Sequence, residues 1–295
     1  MADDTAPILG VVGGSGIYEL EGLEDARRLT VATPYGEPSD EIVTGRLAGT
    51  RVAFLPRHGR GHRLSPGEVN YRANIDALKR VGVSDLISLS ACGSLREALA
   101  PGTFVIVDQF IDRTIARAKS FFGTGIVAHV SMARPVCGRL GEAVGAAAAA
   151  AGIPCVRGGT YLAMEGPQFS TLAESRLYRS WGCDVIGMTN MPEAKLAREA
   201  EICYATVAMV TDYDGWHPDH GHVQVADILR VLASNADAGR ALVGHVAPRL
   251  KDRPVPCPRG CDRALDISIV TPRAAWDAEA ALRLAAVLAR VKGAS

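Results

Sequence analysis

Short apolar runs that recur along the chain limit its fold more than any other feature of the sequence. They are rich in β-branched residues and lie at Ile8–Val12, Arg51–Pro56, Leu86–Ser90, Thr103–Asp108, Tyr161–Ala163, Asp184–Met188 and Cys203–Val210. Near-continuous hydrophobicity of this kind indicates strands that are buried on both faces, as they are in a parallel sheet.

The stretches between these runs predict helices that would cover the sheet. They are Asn70–Val81, Gly138–Ala151, Phe169–Trp181, Pro192–Glu201, Gln224–Leu250 and Ala274–Val291. Gly152 and Gly182 follow two of them, as helix C-terminal glycines do, and Pro192 opens another. We therefore expect an α/β fold with a mostly parallel sheet between helices. One domain over residues 1–295 is expected, with residues 1–7 and 254–264 flexible.

Composition excludes several classes of partner. The 295 residues carry a formal net charge of zero, so nothing indicates binding to nucleic acid or to an anionic membrane. No apolar run approaches the roughly 18 residues of a membrane span. The acidic N-terminus, Met1-Ala2-Asp3-Asp4, lacks the basic region of a signal peptide, which favours a cytoplasmic protein.

The 7 cysteines are scattered and several fall in apolar runs, which is typical of buried, reduced thiols. Cys257 and Cys261 are close in sequence, and a local disulfide between them stays open. A structural zinc ion needs four ligands, and no second Cys/His pair is near them in the sequence. We therefore predict no metal site.

The glycine turn of "GVVGGSGIY" follows the first apolar run and suggests a phosphate site. The dinucleotide pattern fails because Glu19 stands where a third glycine is needed, and no Gly-Lys-Ser/Thr of a nucleotide-binding P-loop occurs. A short turn with backbone N–H groups and the Ser15 hydroxyl suits a small anion. A tight turn without a ligand is the alternative.

Polar residues also follow other predicted strands, at the edge where open α/β sheets bind ligands. Arg57 and His58 directly follow one strand, whereas Arg60 and Arg63 fit a solvated basic loop. Small residues end another strand at Ser90-Ala91-Cys92, where a ligand could approach the backbone. Cys92 fits a packed residue better than a nucleophile.

The clearest chemical signal lies in "TVAMVTDYDGWH". A buried strand runs into Asp212 and Asp214, and strand alternation would place both carboxylates on one side. They could bind a metal, act as an acid with a raised pKa, or lie in a solvated turn. Phe169 could be core or a flat surface for a heterocycle, and Ser170 could cap a helix.

Together, these segments resemble the trimeric nucleoside phosphorylases, and most closely the branch acting on 5'-methylthioadenosine. The segments that carry the resemblance are "GVVGGSGIY", "LPRHGRGH", "VNYRANIDALK", "SACGSLRE", "GTFVIVDQFIDRT", "MEGPQFSTLAES", "WGCDVIGMTNMPEAKLAREA" and "CYATVAMVTDYD". They follow the family's order from about residue 8 to residue 214, and the tail beyond Trp216 matches less well. The resemblance implies a mixed, mostly parallel sheet in one phosphorylase domain, and a homotrimer with sites between subunits.

The resemblance also implies the chemistry. Phosphate would attack C1' of a 5'-methylthio ribonucleoside and release adenine and 5-methylthioribose 1-phosphate, a step of purine and methionine salvage. Inorganic phosphate is then a co-substrate, and no cofactor or metal is implied. The residues implied for phosphate are Ser15, Arg57, His58, Ser90, Ala91 and Thr189. Ser15 and Ser90 stand where the family often has threonine, so the hydroxyl is kept.

The nucleoside residues implied by the resemblance are Met188 against the ribose, Phe169 and Ser170 beside the base, and Asp212 and Asp214 on its polar edge. Asp212 would serve N7 as the general acid, and Asp214 would accept from the 6-amino group. Relatives that cleave 6-oxopurines carry Glu and Asn where this chain has Ser170 and Asp212, so adenine nucleosides are favoured.

The 5'-group pocket is implied to include Val225 and Ile228, with His129 supplied by a neighbouring subunit. Val223 is a further candidate. His217, His220 and His222 fit a solvated loop, and their spacing matches no usual set of metal ligands. Open alternatives are a phosphorylase for adenosine or 6-oxopurine nucleosides, a nucleoside hydrolase, and a non-catalytic nucleoside- or phosphate-binding protein. None of these has a nucleic-acid or membrane partner.

Overall fold

The computed structural model describes residues 8–20, 22–218 and 225–293, with only the backbone of residues 225–228. One mixed sheet of 11 strands forms the centre of the molecule. Its strands are β1 (Ile8–Gly13), β2 (Glu24–Leu29), β3 (Ile42–Leu47), β4 (Thr50–Pro56), β5 (Val83–Ser94), β6 (Phe104–Val107), β7 (Gln109–Asp112), β8 (Cys155–Arg157), β9 (Thr160–Ala163), β10 (Val185–Gly187) and β11 (Cys203–Tyr213). The predicted α/β fold with a mixed, mostly parallel sheet is confirmed.

The strand order is β2-β3-β4-β1-β5-β10-β9-β7, and β11, β6 and β8 branch from β5. The long strand β5 is the hub, because it runs parallel to β1 and β11 and antiparallel to β10. Antiparallel pairs also join β2 to β3, β3 to β4 and β6 to β11. The carboxyl ends of β1, β4 and β11 therefore meet beside the second half of β5.

Helices cover both faces of the sheet. They are α1 (Tyr71–Arg80), α2 (Gly138–Ala150), α3 (Leu172–Ser180), α4 (Asn190–Glu199), α5 (Val225–Val246), α6 (Ala278–Arg283) and α7 (Ala289–Lys292). α3 begins later than predicted because Thr171 and Glu174 form a capping box at its start. The helix predicted over 274–291 is instead two short helices.

Alternating side chains of the central strands divide the core in two. Ile8 and Val12 of β1 face a cluster that includes Ile75 of α1 and Leu196 of α4. Leu9 and Val11 face the opposite cluster, which includes residues of α2 and α5 such as Leu140 and Val243. Both faces of β1 are therefore buried, as its continuous apolar run predicts.

The sequence prediction missed β2, β3, β7 and β8. All six residues of β2 are exposed, and β8 has only three residues, so neither carries the apolar run that marks a buried strand. β2 and β8 each pair with a single strand and lie at margins of the sheet. Hydrogen bonding to a neighbour, rather than burial, defines such strands.

The chain beyond α5 packs back onto the sheet. Leu265, Leu284, Val287 and Leu288 are buried in the cluster that contains α1 and α4. Residues 254–264 form turns and a 3-10 helical turn at Cys261–Arg263. Across the described residues, no helix combines the length and the hydrophobicity needed to cross a membrane.

Candidate active site

A cavity of about 570 Å³ opens where the carboxyl ends of β1, β4, β10 and β11 meet β5. It brings together most of the site residues predicted from the sequence, which come from distant parts of the chain. They are Ser15, Arg57, His58, Ser90, Ala91, Phe169, Met188, Thr189, Asp212 and Asp214. This is the edge at which open α/β sheets place their ligands.

The glycine turn after β1 lies tightly against β5. A Cβ atom on Gly14 would lie 2.6 Å from the Leu89 carbonyl oxygen, and Gly16 has a φ of +83°. The turn closes with a hydrogen bond from the Ile17 N–H to the Gly14 carbonyl at 3.1 Å. Glycine is therefore needed here for close backbone packing, and Ser15 is presented to the cavity.

Arg57 is fully buried and already has an anionic partner. Its Nε donates to Glu193 at 2.8 Å, and its Nη atoms donate to Ser88 at 2.6 Å and to the Leu89 carbonyl at 3.1 Å. Burial lowers the pKa of the guanidinium, but the charge of Glu193 outweighs this and raises the pKa above its usual value. Arg57 thus lines the cavity as half of a neutral ion pair.

Glu193 is the centre of this buried network, and sequence reasoning missed it. Besides Arg57, its carboxylate accepts from Ser88 at 2.6 Å and from Tyr204 at 2.9 Å. Asn190 donates to Ser88 at 3.0 Å and to Tyr204 at 2.9 Å. An acidic residue in the first turn of a helix is typical of dipole complementarity, so nothing in the sequence indicates that Glu193 pairs with Arg57.

His58 is buried and uncharged at neutral pH. Burial, and then the nearby charge of Arg57, lowers its pKa to about 4. Its Nδ1 lies 2.8 Å from the Leu64 carbonyl oxygen, which can only accept, so Nδ1 carries the proton. Nε2 then presents a lone pair, and His62 stacks on the ring with centroids 4.2 Å apart.

Hydroxyl groups provide the remaining polar surface at this end of the cavity. Ser90 Oγ lies 3.2 Å from Thr189 Oγ1 and 3.3 Å from the Tyr161 hydroxyl. Ser90 and Thr189 are both buried, and the adjacent Ala91 also lines the cavity. Neutral O–H and N–H donors of this kind can bind an anion without adding net charge.

Met188 is held in place by a buried arginine from another part of the chain. Arg117 donates to the Met188 carbonyl at 2.5 Å and to the Met191 carbonyl at 2.8 Å. It also donates to the Glu165 carbonyl at 2.6 Å. Arg117 therefore positions the Met188 segment, and nothing in the local sequence indicated this role.

The two carboxylates lie at the end of β11, after an irregularity in the strand. Val210 pairs with Cys92 and Asp212 with Gly93, so Thr211 is an extra residue that redirects the chain. The Thr211 hydroxyl donates to Asp212 at 2.6 Å and to the Cys92 carbonyl at 3.1 Å. β11 ends at Tyr213, and Asp212 and Asp214 both line the cavity.

Asp214 combines burial with an available acceptor atom. Burial raises the pKa of Asp214 above its usual value, and the nearby Ser175, Gly215 N–H and Ser170 groups offset this only in part. Within the described part of the chain, its Oδ2 is buried and has no hydrogen-bond partner. A buried, unpartnered acceptor in a cavity is ready for a ligand donor.

Cys92 lies in the same cavity but has no thiolate character. Burial, and then the charge of Asp212, raises the pKa of the Cys92 thiol well above its usual value. The thiolate is the nucleophilic form of cysteine. The interpretation of Cys92 as a small packed residue fits this environment.

Some predicted residues lie elsewhere. Ser170 does not line the cavity, and its Oγ lies 3.7 Å from Met164 Sδ. His129 is exposed in a segment whose N–H donates to the Ser268 carbonyl at 2.8 Å. His217 is buried, stacks on Tyr213 with centroids 4.5 Å apart, and lies 3.2 Å from a Glu97 carboxylate oxygen.

Most residues predicted for the 5'-group pocket lie outside the described part of the chain. Val225 and Ile228 belong to α5, but their side chains lie outside the described residues. Val223, His220 and His222 also lie outside them. Among the residues of α5 whose side chains are described, Leu232 lines the cavity.

Comparison with known proteins defines the class to which this fold and site belong. Residues 8–247 match the family model of the phosphorylase superfamily, and the chain belongs to that superfamily. The chain is 65% identical over 284 residues to the S-methyl-5'-thioadenosine phosphorylase of Cereibacter sphaeroides, covering 96% of this chain and 98% of the relative.

Solved structures agree with this relationship. A methylthioadenosine phosphorylase from an Antarctic soil metagenomic library is 48% identical with a TM-score of 0.90, covering 96% of this chain and 99% of the other. The Schistosoma mansoni methylthioadenosine phosphorylase in complex with adenine is 36% identical with a TM-score of 0.76, covering 83% and 92%. Both neighbours are methylthioadenosine phosphorylases, which matches the resemblance identified in the sequence.

Proposed function

We propose that this protein catalyses the phosphorolysis of S-methyl-5'-thioadenosine to adenine and 5-methylthio-D-ribose 1-phosphate. The observation that carries the proposal is the division of the cavity into two ends. The hydroxyls of Ser90 and Thr189 lie 3.2 Å apart at one end. At the other end, Asp212 pairs with Gly93, farther along β5, and Asp214 follows it in the cavity lining. This arrangement suits an anion that attacks a sugar while a purine leaves on the far side.

The proposed phosphate ligands are Ser15, Arg57, His58, Ser90, Ala91 and Thr189. Because Glu193 neutralises Arg57, most of the interaction with phosphate is assigned to hydroxyl and N–H donors. His58 is neutral, with a lone pair on Nε2, so it accepts a hydrogen bond from a protonated phosphate oxygen. The phosphate keeps its negative charge close to C1', where positive charge develops.

At the other end, the purine is proposed to face Asp212 and Asp214. As the bond between C1' and N9 breaks, its electron pair moves to the base, and Asp212 donates a proton or hydrogen bond to N7. Phosphate forms the new bond to C1' through an oxocarbenium-like transition state. The unpartnered Oδ2 of Asp214 accepts from the 6-amino group, which supports adenine over 6-oxopurines. Met188 contacts the ribose and Phe169 the base.

The test is adenine release from 5'-methylthioadenosine, measured with and without phosphate, beside adenosine and inosine. Phosphate-dependent release of adenine, fastest with 5'-methylthioadenosine, is expected. Equal release with and without phosphate would instead identify a hydrolase, and faster cleavage of inosine would identify a 6-oxopurine phosphorylase. Binding of nucleoside without turnover would identify a binding protein.

We also propose that the whole chain is one domain, active as a homotrimer in the cytoplasm. Support for the trimer comes from apolar side chains exposed near the cavity, Phe169 at 79% and Ile115 at 80%. Burial by a second copy would remove this apolar surface from water. His129 and the side chains of Val225 and Ile228 are proposed to complete the 5'-group pocket there. The reaction uses phosphate as co-substrate and needs no cofactor.

A further inference from the structure

Four cysteines from three separate parts of the chain meet in the interior. Cys137 immediately precedes α2, Cys203 is the first residue of β11, and Cys257 and Cys261 belong to the segment after α5. Each is at most 3% exposed. None of them lines the active-site cavity, so the catalytic chemistry does not explain why they converge.

Their sulfur atoms are arranged as a metal site requires. All four lie within 4.8 Å of one another, and the sulfurs of Cys137 and Cys257 are 3.7 Å apart. Four sulfurs at about 2.3 Å from a zinc ion form a tetrahedron with edges of about 3.8 Å. Disulfides would join the four only in pairs and would not require all of them to converge.

The segment Cys257-Pro258-Arg259-Gly260-Cys261 has the local geometry of a zinc-binding turn. The Gly260 N–H donates to the Cys257 carbonyl at 2.8 Å, and Gly260 has a φ of +68°. This turn returns the chain so that Cys261 lies beside Cys257. Asp262 fixes it further by accepting from the Cys257 N–H at 2.8 Å. Two cysteines separated by three residues are within the usual spacing of zinc ligands.

Two largely buried arginines near the cluster, which Asp85 and Asp262 neutralise, keep N–H donors that are not in use. Asp85 pairs with Arg139 and with Arg253, whose Nη1 lies 3.2 Å from it. The Nε atoms of both arginines are buried without a hydrogen-bond partner among the described residues. Four thiolates around a dication carry a net charge of minus two, which such donors stabilise.

The N-terminus of α2 adds to this environment. The positive end of a helix dipole favours a thiolate at the position that Cys137 occupies.

We propose that Cys137, Cys203, Cys257 and Cys261 bind one Zn²⁺ as a structural, four-thiolate site. Each thiol releases one proton when the metal binds, and the closed set of ligands leaves no coordination position for substrate. The ion would join the chain after residue 250 to the start of α2 and the start of β11. The match to the phosphorylase superfamily ends at residue 247, so two of the four ligands lie beyond the matched region.

Metal content of the purified full-length chain tests the proposal. About one zinc per chain is expected in the wild type, and less than about one tenth in Cys257→Ser and Cys261→Ser. Cys155→Ser is the matched control, because Cys155 is outside the cluster and only half-buried, and it should keep its zinc. Cobalt taken up by metal-free protein should give the absorption of a tetrahedral thiolate complex.

Zinc release from the wild type, titrated with a thiol reagent, tests the proposal even if the cysteine variants fail to fold. An organomercurial that blocks thiols should release about one zinc per chain into a metal-sensitive dye. Two results would overturn the proposal: a wild-type chain without metal that takes up neither zinc nor cobalt, or an intact mass that shows the four cysteines joined as disulfides. Zinc that persists in both cluster variants would also overturn it. None of these readouts depends on phosphorolysis, so the proposed function is tested separately.

Discussion

At the scale of single residues, Arg57 with its counter-ion and the neutral His58 bring no net charge to the proposed phosphate end of the cavity. Arg57 is neutralised by Glu193 at 2.8 Å, and His58 is neutral because its pKa is about 4. Besides Arg57 and His58, the groups proposed to act on a ligand are hydroxyls and the Ala91 backbone at one end and the Asp212 and Asp214 carboxyls at the other. The two carboxyls differ in environment, so replacing each of them should have a different effect.

Asp212→Asn should lower kcat for 5'-methylthioadenosine by about 100-fold or more, because an amide cannot supply the proton that the leaving base takes up. Phosphate affinity should change little, since the proposed phosphate ligands are at the other end of the cavity. Steady-state kinetics with varied phosphate measure both values. Asp252→Asn, on an exposed turn, is the control. Full activity in Asp212→Asn would contradict the assignment of the acid.

Asp214→Asn should lower kcat/KM for adenine nucleosides by about 10-fold or more, because a charged acceptor for the 6-amino group is lost. The free energy of unfolding of Asp214→Asn should, by contrast, rise relative to that of the wild type as the pH rises. Burial raises the pKa of Asp214 in the folded protein above its unfolded value. The wild type therefore loses stability as pH rises through the folded-state pKa, and the variant does not.

Denaturation of both proteins from pH 4 to pH 7.5 measures this second effect. The free energy of unfolding of Asp214→Asn, relative to the wild type, should rise with pH over that range. A difference that stays constant with pH would show that Asp214 does not titrate abnormally.

Most cavity residues lie at or near the ends of apolar runs, which meet at one edge of the sheet, and the resemblance to the nucleoside phosphorylases implied their roles. Sequence reasoning missed Glu193 and Arg117 because their roles depend on partners far away in the chain. For the same reason, Cys137 and Cys203, which we propose as zinc ligands, were not singled out. The sequence around Cys137 and Cys203 does not indicate that these residues lie beside Cys257 and Cys261 in the fold.

At the scale of elements, the active site depends on how closely β1 and α4 approach β5. The turn after β1 packs against the backbone of β5 at Leu89, and α4 brings Glu193 to Arg57 at the end of β4. The buried strands that make these contacts were predictable from their apolar runs. The approach distances were not, because they depend on packing between elements.

Gly14→Ala should raise the KM for phosphate by about 10-fold or more, because the new Cβ must displace the turn that carries Ser15. Its Cβ would lie 2.6 Å from a backbone oxygen that cannot rotate away. Gly244→Ala is the control, since nothing lies within 4 Å of its Cβ in α5. That substitution should stabilise the protein by up to about 1 kcal/mol without changing the KM. Equal phosphate kinetics in both variants would contradict the role given to the turn.

Glu193→Gln should lower the free energy of unfolding by about 3 kcal/mol, because it leaves the charge of Arg57 buried without its counter-ion. Urea denaturation measures this change. Glu142→Gln removes an exposed partner of Arg157 at 4.0 Å and should stay within about 1 kcal/mol of the wild type. A loss no greater than that of Glu142→Gln would contradict the role of Glu193 as the buried counter-ion of Arg57.

At the scale of the whole molecule, the chain after α5 is an integral part of the core. Arg290 in α7 donates to Glu201 at 2.6 Å, and the Glu201 carboxylate also accepts from the Leu265 N–H at 2.9 Å. The glutamate side chain is 1% exposed. This docking was not predictable, because the apolar spacing over 274–291 indicated one continuous helix rather than two short ones.

Arg290→Met should lower the free energy of unfolding by about 2 kcal/mol, because Glu201 loses its cation while it remains buried. Activity at a temperature well below the midpoint should be unchanged, since neither residue lines the cavity. Arg28→Met, in a pair whose side chains are 62% and 40% exposed, is the control. Equal melting temperatures for the two variants would show that the tail is not held through this contact.

The extra residue at Thr211 restricts how this chain can change during evolution. Up to Val210, β11 and β5 advance together residue by residue, and beyond it they are offset. Deleting any one residue of β11 would redirect both carboxylates, whereas a deletion in a surface loop would leave them in place. Cys203 begins the same strand, so a shift would also move a ligand of the proposed zinc site. Descendants of this chain can therefore vary the length of many loops, but the segment from Cys203 to Asp214 must keep its number of residues.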